Sequence, residues 1–211
     1  MQFIPDFLDI ERARERIKNY INHTPVFTSE SINRITGSSL FFKCENFQKS
    51  GAFKFRGACN AVFALASPGI DLQKGVATHS SGNHAAALAL ASKIKGITAN
   101  IVMPVNSSEI KKRAVAGYGA VITYCKPTLE SRESTLLEVV ARTDATIVHP
   151  YDDFYVIAGQ GTAALELIEE AGKFDLIMAP VGGGGLISGT AITVKELLPG
   201  CRVIAAEPAG A

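Results

Sequence analysis

The sequence has 211 residues, of which 47% are hydrophobic and 19% are charged. This composition is too apolar for a disordered or fibrous protein, and the length allows a substantial buried core. A formal net charge of +1 gives no general attraction to nucleic acid or to anionic lipid. No apolar run approaches the roughly 20 residues that cross a bilayer. We therefore expect a small-molecule ligand, and neither a nucleic-acid nor a membrane partner.

The cysteines and the N-terminal segment bear on the cellular compartment. The 4 cysteines lie far apart, with no CxxC pair and no Cys/His cluster at metal-ligand spacing. Neither a disulfide framework nor a zinc site is indicated. The N-terminal residues become charged before a long apolar stretch forms, unlike those of a secretion signal. A cytoplasmic location is expected.

The first predicted element is an amphipathic helix. Apolar residues recur there at helical spacing, while charged residues fill the other face. The apolar positions are Leu8, Ile10, Ala13, Ile17 and Ile21. This pattern predicts a helix with one buried face.

The rest of the chain alternates between strand-length and helical patterns. An extended piece follows Pro25, a helix near residues 29–36 ends at Gly37, and a strand covers residues 40–44. Further strands are predicted over residues 76–78, 100–103, 120–124, 146–149, 176–179 and 203–206. The intervening helices are predicted over residues 83–95, 108–118, 129–142, 161–171 and 186–197. Such alternation implies parallel strands joined by helical crossovers, which is an α/β architecture.

A lysine between two aromatic residues lies in the segment SGAFKFRG, just before an apolar helical run. A lysine held among apolar groups loses the solvation of its ammonium. Its pKa therefore falls, and the amine becomes available as a nucleophile or proton carrier. This residue is Lys54. The alternative is a surface lysine whose stem packs along apolar neighbours.

The segment HSSGNH covers residues 79–84, between a predicted strand and a predicted helix. Hydroxyls, an amide and free backbone N–H groups at the start of a helix form a receptor for a carboxylate or another anion. The alternative is a loop that only caps the helix.

Four consecutive glycines, Gly182, Gly183, Gly184 and Gly185, lie between another predicted strand and helix. Glycines allow positive φ and leave no side chain between the backbone amides and a ligand, so they can wrap a phosphate at the positive end of the helix dipole. The alternative is a flexible turn, although ordering four glycines costs backbone entropy.

Two nucleotide-site patterns do not fit the glycine run. It is not followed by the Lys-Ser/Thr of a P-loop, and it comes too late in the chain for the downstream half of a dinucleotide site. A monophosphate ligand therefore fits better than ATP or NAD.

In this order, the three segments resemble the lysine, asparagine and tetraglycine loops of fold-type II pyridoxal-phosphate enzymes. The similarity extends through FFKCENFQKSGAFKFRGACNAV, THSSGNHAAALALA, YGAVITYCKPTLESRE, HPYDDFYVIAGQGTAALE and APVGGGGLISG. Within that group the sequence is most similar to the serine racemase and threonine (serine) dehydratase family. The resemblance implies parallel twisted sheets with helices on both faces. It also implies a large cofactor-binding domain, residues 1–76 with 150–211, and a small domain, residues 77–149.

The resemblance assigns roles toward the cofactor, pyridoxal 5'-phosphate, by matched position. Lys54 would carry it as a Schiff base, Phe53 would pack near its ring, and Asn83 would contact the ring hydroxyl. The phosphate would be bound by Gly182, Gly183, Gly184 and Gly185.

The resemblance also implies a substrate site for a small amino acid, in a protein expected to be a homodimer. Arg132 would close over the substrate from the small domain. The residues around the substrate carboxylate would be Ser80, Ser81, Asn83 and His84. Ser81 would also be a second catalytic residue beside Lys54.

The chain ends at Ala211, before the usual end of this family. It is therefore expected to be C-terminally truncated and to lack the Ser or Cys that hydrogen-bonds the pyridine nitrogen. Glu207 and the carbonyl of Ala211 match the first two ligands of a divalent-cation site for Mg²⁺ or Ca²⁺. Because the following acidic ligand would lie beyond the chain, the predicted metal site is incomplete.

Two activities and one alternative follow from the resemblance. Dehydration and deamination of serine, threonine or 3-hydroxyaspartate need a proton carrier on one face of the substrate, which Lys54 supplies. Racemisation also needs a carrier on the other face, at Ser81. An ammonia-lyase activity is therefore the first expectation, with racemisation as a partner activity. The alternative is a truncated fragment that is weak or inactive as a catalyst and acts as a binding module.

Overall fold

The computed structural model describes residues 4–66 and 74–210. The helices in those ranges are α1 (Phe7–Ile17), α2 (Glu30–Thr36), α3 (Lys54–Leu65), α4 (Asn83–Lys95), α5 (Glu109–Gly117), α6 (Leu129–Thr143), α7 (Phe154–Ala171) and α8 (Gly185–Leu197). The strands are β1 (Val26–Thr28), β2 (Phe41–Lys43), β3 (Val76–His79), β4 (Ala99–Pro104), β5 (Val121–Cys125), β6 (Thr146–Ile147), β7 (Leu176–Pro180) and β8 (Arg202–Ala206). Neither range contains a helix with the length and apolar character that a membrane span requires.

The predicted α/β architecture is confirmed by the sheet pairing. Strands β5, β4, β3 and β6, in that order, form a parallel sheet, and β7 and β8 form a second parallel pair. Strands β1 and β2 pair antiparallel, with Val26 opposite Lys43. Helices α4 and α5 provide the crossovers that parallel neighbours need. The loops that follow parallel strands meet at one edge of the sheet, where open α/β folds bind ligands.

Helix α1 is shorter than its apolar pattern predicted. Ile10, Ala13 and Ile17 are buried, as an inward face requires. Leu8 is 49% exposed, and Ile21 lies beyond the last helical residue. The buried stripe of α1 therefore occupies the middle and the end of the helix only.

Helix α3 runs through the interior of the protein. Its residues from Phe55 to Ala64 are all buried. Their apolar side chains join a hydrophobic cluster with Leu88 of α4 and Ile101 of β4. Because Lys54 is the first residue of α3, the position of that lysine is set by the packing of a core helix.

Helix α7 packs against α1, α3 and α8. It begins at Phe154, whereas the sequence pattern predicted a start at residue 161. The pattern missed the first turns because they contain Gly159, a residue of low helix propensity. A Cβ on Gly159 would lie 2.7 Å from the carbonyl oxygen of Arg56, and one on Gly161 would lie 3.0 Å from that of Gly189. The glycines thus allow α7 to approach α3 and α8 closely.

A buried ion cluster joins α3 to α7. Arg56 is fully buried, two residues after Lys54. Its guanidinium donates two hydrogen bonds of 2.7 Å to the carboxylate of Glu166 and two of 2.8 Å to that of Glu45. The ammonium of Lys43 lies 2.8 Å from Glu166. Buried charges are costly unless they are paired and hydrogen-bonded, so this pairing holds the start of α3 in one place.

The pKa values in the cluster reflect the pairing. Burial alone would lower the pKa of Arg56, but the hydrogen bonds donated to Glu166 and Glu45 outweigh burial and raise it. Burial acts to raise the pKa of Glu166, while the hydrogen bonds and charges of Arg56 and Lys43 bring it below its ordinary value. A carboxylate with a lowered pKa stabilises the fold at neutral pH, and this contribution is lost as the pH falls through its folded-state pKa.

We predict that Glu166→Gln lowers the free energy of unfolding by about 3–5 kcal/mol, because it removes one of the two carboxylates that neutralise the buried Arg56 and Lys43 and leaves the cluster with an uncompensated positive charge. The matched control is Glu30→Gln in the surface pair with Arg34, where the Glu30 side chain is 91% exposed. That change should cost less than about 1 kcal/mol. Urea denaturation at neutral and acidic pH measures both variants. The difference between the parent and Glu166→Gln should shrink in acid, and equal losses from the two variants would contradict the role of the cluster.

Candidate active site

Three helices begin at the three segments that the sequence singled out. Helix α3 starts at Lys54, α4 at Asn83 and α8 at Gly185, and in none of them does a side chain cap the first turn. Helices α1, α2, α6 and α7 each have a side-chain cap, whereas α5 also lacks one. Uncapped N–H groups at the positive end of a helix bind anions. The starts of α4 and α8 are therefore available to a carboxylate or a phosphate.

Lys54 is held by a backbone carbonyl and lies beside an aromatic ring. Its Nζ donates a 2.8 Å hydrogen bond to the carbonyl oxygen of Pro150. The same nitrogen is 5.3 Å from the ring centroid of Phe53. Burial lowers the pKa of Lys54 to about 8. A substantial fraction of the amine is therefore neutral, and thus nucleophilic, near physiological pH.

The residues after β6 connect the lysine to the glycine loop. We call His149, Pro150 and Tyr151 the HPY segment. Pro150 accepts the hydrogen bond from Lys54, and the ring of Tyr151 lies against Gly183, where an added Cβ would be 2.1 Å from ring carbon Cδ1. The predicted strand 146–149 is thus confirmed only as far as Ile147. The following residues form a loop between two of the predicted site segments.

His149 links the HPY segment to the end of β3. Its ring centroid lies 4.6 Å from that of Tyr151 and 6.1 Å from that of His79, edge to face in both cases. Its Nδ1 accepts a 2.9 Å hydrogen bond from the backbone N–H of Asp152. Burial lowers the pKa of His149 despite the nearby acidic groups. The accepting nitrogen and the lowered pKa both describe a neutral imidazole.

His84 is buried in the first turn of α4. Burial, and then the positive charge of Lys54, lower its pKa to about 3. Its interaction with the backbone of Val148 falls short of hydrogen-bond geometry, so its ring nitrogens have no hydrogen-bond partner in the described ranges. His84 is therefore a neutral, buried polar group whose hydrogen-bonding capacity is unused, within electrostatic reach of the lysine.

Ser80, Ser81 and Gly82 form the turn between β3 and α4, and Asn83 is the first residue of α4. The hydroxyl of Ser80 accepts a 3.3 Å hydrogen bond from the backbone N–H of Gly82. Ser81 and Asn83 are exposed. The segment thus presents a hydroxyl and an amide to solvent at an uncapped helix start.

Arg132 lies in the first turn of α6. Its Nε donates a 3.4 Å hydrogen bond to the carbonyl oxygen of Thr128. The pKa of His79 is lowered by burial first, then by His149 and by the charge of Arg132. That influence places the guanidinium within electrostatic reach of the end of β3, on the side of the sheet edge where the HSSGNH segment begins.

The glycine loop offers space as well as free amides. Among residues 4–66 and 74–210, apart from the adjoining residues of the chain, no heavy atom lies within 4 Å of the place where a Cβ would stand on Gly182 or Gly184. Gly184 has φ +92°, a conformation that favours glycine. The backbone at these two positions is therefore open on the side where a side chain would stand.

Of the two predicted metal ligands, Glu207 lies within the described residues. Glu207 is exposed just after β8. Ala211 lies outside the described residues. Within residues 4–66 and 74–210, no group of three or more His, Cys, Asp or Glu side chains is arranged to hold a metal ion.

The sequence predictions missed the HPY segment as part of the site. A usable signal was present, because this segment directly follows a predicted strand of the same parallel sheet as the HSSGNH segment. Loops after parallel strands converge at one edge. Ring packing and a carbonyl acceptor carry no residue-type signature, so the individual roles of Pro150 and Tyr151 could not be predicted.

We predict that Lys54 reacts with small aldehydes as an amine whose pKa is about 8. The neutral fraction, and with it the rate of reductive methylation by formaldehyde, should rise as the pH increases through that value. An ordinary exposed lysine, with a pKa of about 10.4, becomes neutral at higher pH. Mass spectrometry of the Lys54 peptide follows the rate, and Lys54→Arg is the control without a reactive amine. A midpoint close to that of ordinary lysines would contradict the effect of burial.

Comparisons with known proteins find similarity in both sequence and fold. The family model described as "Pyridoxal-phosphate dependent enzyme" matches residues 17–211. Serine racemase from Dictyostelium discoideum is 52% identical over 96% of this chain and 62% of its own length. The β-hydroxyaspartate dehydratase of Paracoccus denitrificans is 54% identical over 98% of this chain and 65% of its own length.

A solved structure of maize serine racemase has a TM-score of 0.95 and 48% identity, and covers 99% of this chain and 63% of that one. The chain thus spans less than two thirds of the length of these relatives. The family match includes the lysine, HSSGNH and glycine segments. The chain belongs to the fold-type II family of pyridoxal-phosphate dependent enzymes.

Proposed function

We propose that the protein dehydrates and deaminates a small hydroxy amino acid, such as serine, threonine or 3-hydroxyaspartate, and that it also racemises the substrate. The observation that carries the proposal is Lys54, half-buried with a pKa lowered to about 8 and held on Pro150 beside the glycine loop. A serine racemase and a β-hydroxyaspartate dehydratase are both more than 50% identical to this chain, which supports both activities.

The residues present fit pyridoxal phosphate. An aldehyde needs an amine that is partly neutral at physiological pH, and Lys54 has the lowered pKa. A phosphate needs free amides with room beside them, and the uncapped start of α8 follows two glycines with open space, Gly182 and Gly184. We propose that Phe53 packs near the ring and that Asn83 contacts the ring hydroxyl. When bound, the cofactor supplies a conjugated ring that accepts the electron pair left by the removed α-proton.

Lys54 has two proposed roles in turnover. It holds the cofactor through the aldehyde carbon until an amino acid displaces it. Once free, its amine takes or returns the α-proton on one face of the substrate, and a pKa of about 8 suits transfer in both directions near neutral pH. The carbonyl of Pro150 orients the free amine.

The start of α4 is the proposed seat of the substrate carboxylate. Its first turn has no side-chain cap, so backbone N–H groups are free to donate there. The surrounding residues proposed to assist are Ser80, Ser81, Asn83 and His84. The guanidinium of Arg132 acts on the same region electrostatically and is proposed to close over the carboxylate. Pairing of this kind would also exclude water from the reacting carbon.

The balance between dehydration and racemisation depends on Ser81. Racemisation needs a proton carrier on the face opposite Lys54, and the Ser81 hydroxyl is the proposed group. In the described ranges, that hydroxyl has no hydrogen-bonded base to activate it. Dehydration needs Lys54 alone, so it is the primary proposed activity.

The wider organisation of the protein is also a proposal. We infer a large domain from residues 1–76 with 150–211 and a small domain from residues 77–149. The four-stranded parallel sheet, whose strands lie between Val76 and Ile147, supports that division. A homodimer and a Mg²⁺ or Ca²⁺ site that includes Glu207 rest on the family resemblance, and a cytoplasmic location rests on the spacing of the cysteines and on the N-terminal sequence. The competing proposal is a binding module that holds the cofactor without turnover.

The test of the proposed function is to load the protein with pyridoxal phosphate and assay hydroxy amino acids for 2-oxo acid, ammonia and the opposite enantiomer. We predict an absorbance band near the visible edge that borohydride removes, and turnover of at least one substrate. Lys54→Ala should lose both, because no other amine lies in the site segment. A band without turnover would support the binding module, and a band retained by Lys54→Ala would refute the assignment of Lys54.

We predict that Ser81→Ala removes most racemisation and leaves much of the dehydration, because only racemisation requires the second face. The neighbouring Ser80→Ala is the matched control. The Ser80 hydroxyl is held by Gly82, so its loss should weaken both activities in parallel. The measured quantity is the ratio of enantiomer to 2-oxo acid. An unchanged ratio in Ser81→Ala would assign Ser81 to substrate binding only.

A further inference from the structure

The glycines of the phosphate loop are not equivalent. A Cβ would stand in open space on Gly182 and Gly184, and only Gly184 has a positive φ. On Gly183 a Cβ would lie 2.1 Å from both Cγ and Cδ1 of the Tyr151 ring, although its φ is not in the left-handed region that favours glycine. At that position it is the tyrosine ring, and not backbone strain or the space kept for a phosphate, that excludes a side chain.

The same tyrosine touches the loop at a second point. A Cβ on Gly185 would lie 2.9 Å from the carbonyl oxygen of Tyr151 and 3.2 Å from its Cα. The loop therefore rests with alternate residues on Tyr151, while the residues between them lie open. Two contacts on one side leave the other side of the loop backbone free to face a ligand.

Tyr151 is itself fixed from two directions. The ring of His149 packs edge to face against it, with 4.6 Å between the centroids. The preceding residue, Pro150, accepts the hydrogen bond from Lys54. The ring is 36% exposed, so it forms part of the surface of the site and is not a core residue.

We propose that Tyr151 is a positioning residue for the phosphate end of the cofactor site: its ring is the platform on which Gly183 rests, and it sets the orientation of the loop amides. This inference rests on the proposed cofactor site and extends it. Tyr151 acts through the glycine loop and has no part in proton transfer. Its contribution is specific to ligands that carry the phosphate.

The first measurement compares two ligands that differ only in the phosphate. Pyridoxal phosphate and pyridoxal both react with Lys54, and only the former uses the glycine loop. Tyr151→Ala should weaken the affinity for pyridoxal phosphate by about tenfold and leave that for pyridoxal within about twofold. Tyr151→Phe keeps the ring and should match the parent for both ligands. Dissociation constants are read from the absorbance of the bound cofactor, and thermal unfolding verifies that each variant is folded.

The second measurement tests the contact with Gly183 by a double-mutant cycle. Gly183→Ala should weaken pyridoxal phosphate binding by about tenfold or more in the parent, because the added methyl meets the ring. In the Tyr151→Ala background the same change should cost less than about threefold, because the ring is gone. Gly182→Ala is the matched control, and its cost should be equal in both backgrounds because nothing lies near its Cβ position.

Two results would overturn the proposal. One is an equal cost of Gly183→Ala with and without the ring. The other is an equal loss of pyridoxal and pyridoxal phosphate affinity in Tyr151→Ala, which would mean that the ring only supports the fold. If Gly183→Ala does not fold, the comparison of the two ligands decides alone. Neither measurement uses turnover, so a failure of the proposed reaction is seen separately in the substrate assays.

Discussion

The pairing of Arg56 with Glu45 and Glu166 is the constraint on which the placement of the site depends. The guanidinium is fully buried and makes four short hydrogen bonds to the two carboxylates. It cannot move without leaving those charges without a partner in an apolar interior, which costs more than most packing changes. Lys54 lies two residues earlier, at the start of the same helix. Because the guanidinium holds that helix in place, the position of the Lys54 backbone is fixed as well.

The site is assembled from loops around this fixed helix. The amine reaches the HPY segment through Pro150, the HPY segment supports the glycine loop through Tyr151, and His149 contacts the end of β3. Each contact links two parts of the chain that are distant in sequence. Helices α3, α4 and α8 begin at these loops without side-chain caps, so the N–H groups of their first turns are free there.

The helices and strands were predicted well from the sequence, because periodicity and capping signals depend on residues that are close together in the chain. Helix α4 has the predicted limits, and Gly37 ends α2 in the left-handed conformation that a glycine permits. The predicted start of α7 was wrong because the missed turns contain Gly159, whose helix propensity is poor and which allows close contact with α3. The assignment of Leu8 to the buried face of α1 was wrong, because spacing alone does not show where a buried face ends. Of the site, Lys54 and the glycines carry residue-type signals, whereas the ring of Tyr151 and the carbonyl of Pro150 act through geometry that only the fold creates.

The ion cluster also limits how the length of this part of the chain can change during evolution. Each residue added to an α-helix turns everything after it by about 100°. One residue inserted between Lys54 and Arg56 would rotate the guanidinium away from both carboxylates while the amine stayed in the cleft. Deletion of the residue between them would rotate the guanidinium by about 100° in the opposite direction. The spacing of these two residues is therefore closed to insertions and deletions, and new specificities must arise by substitution in the loops that surround them.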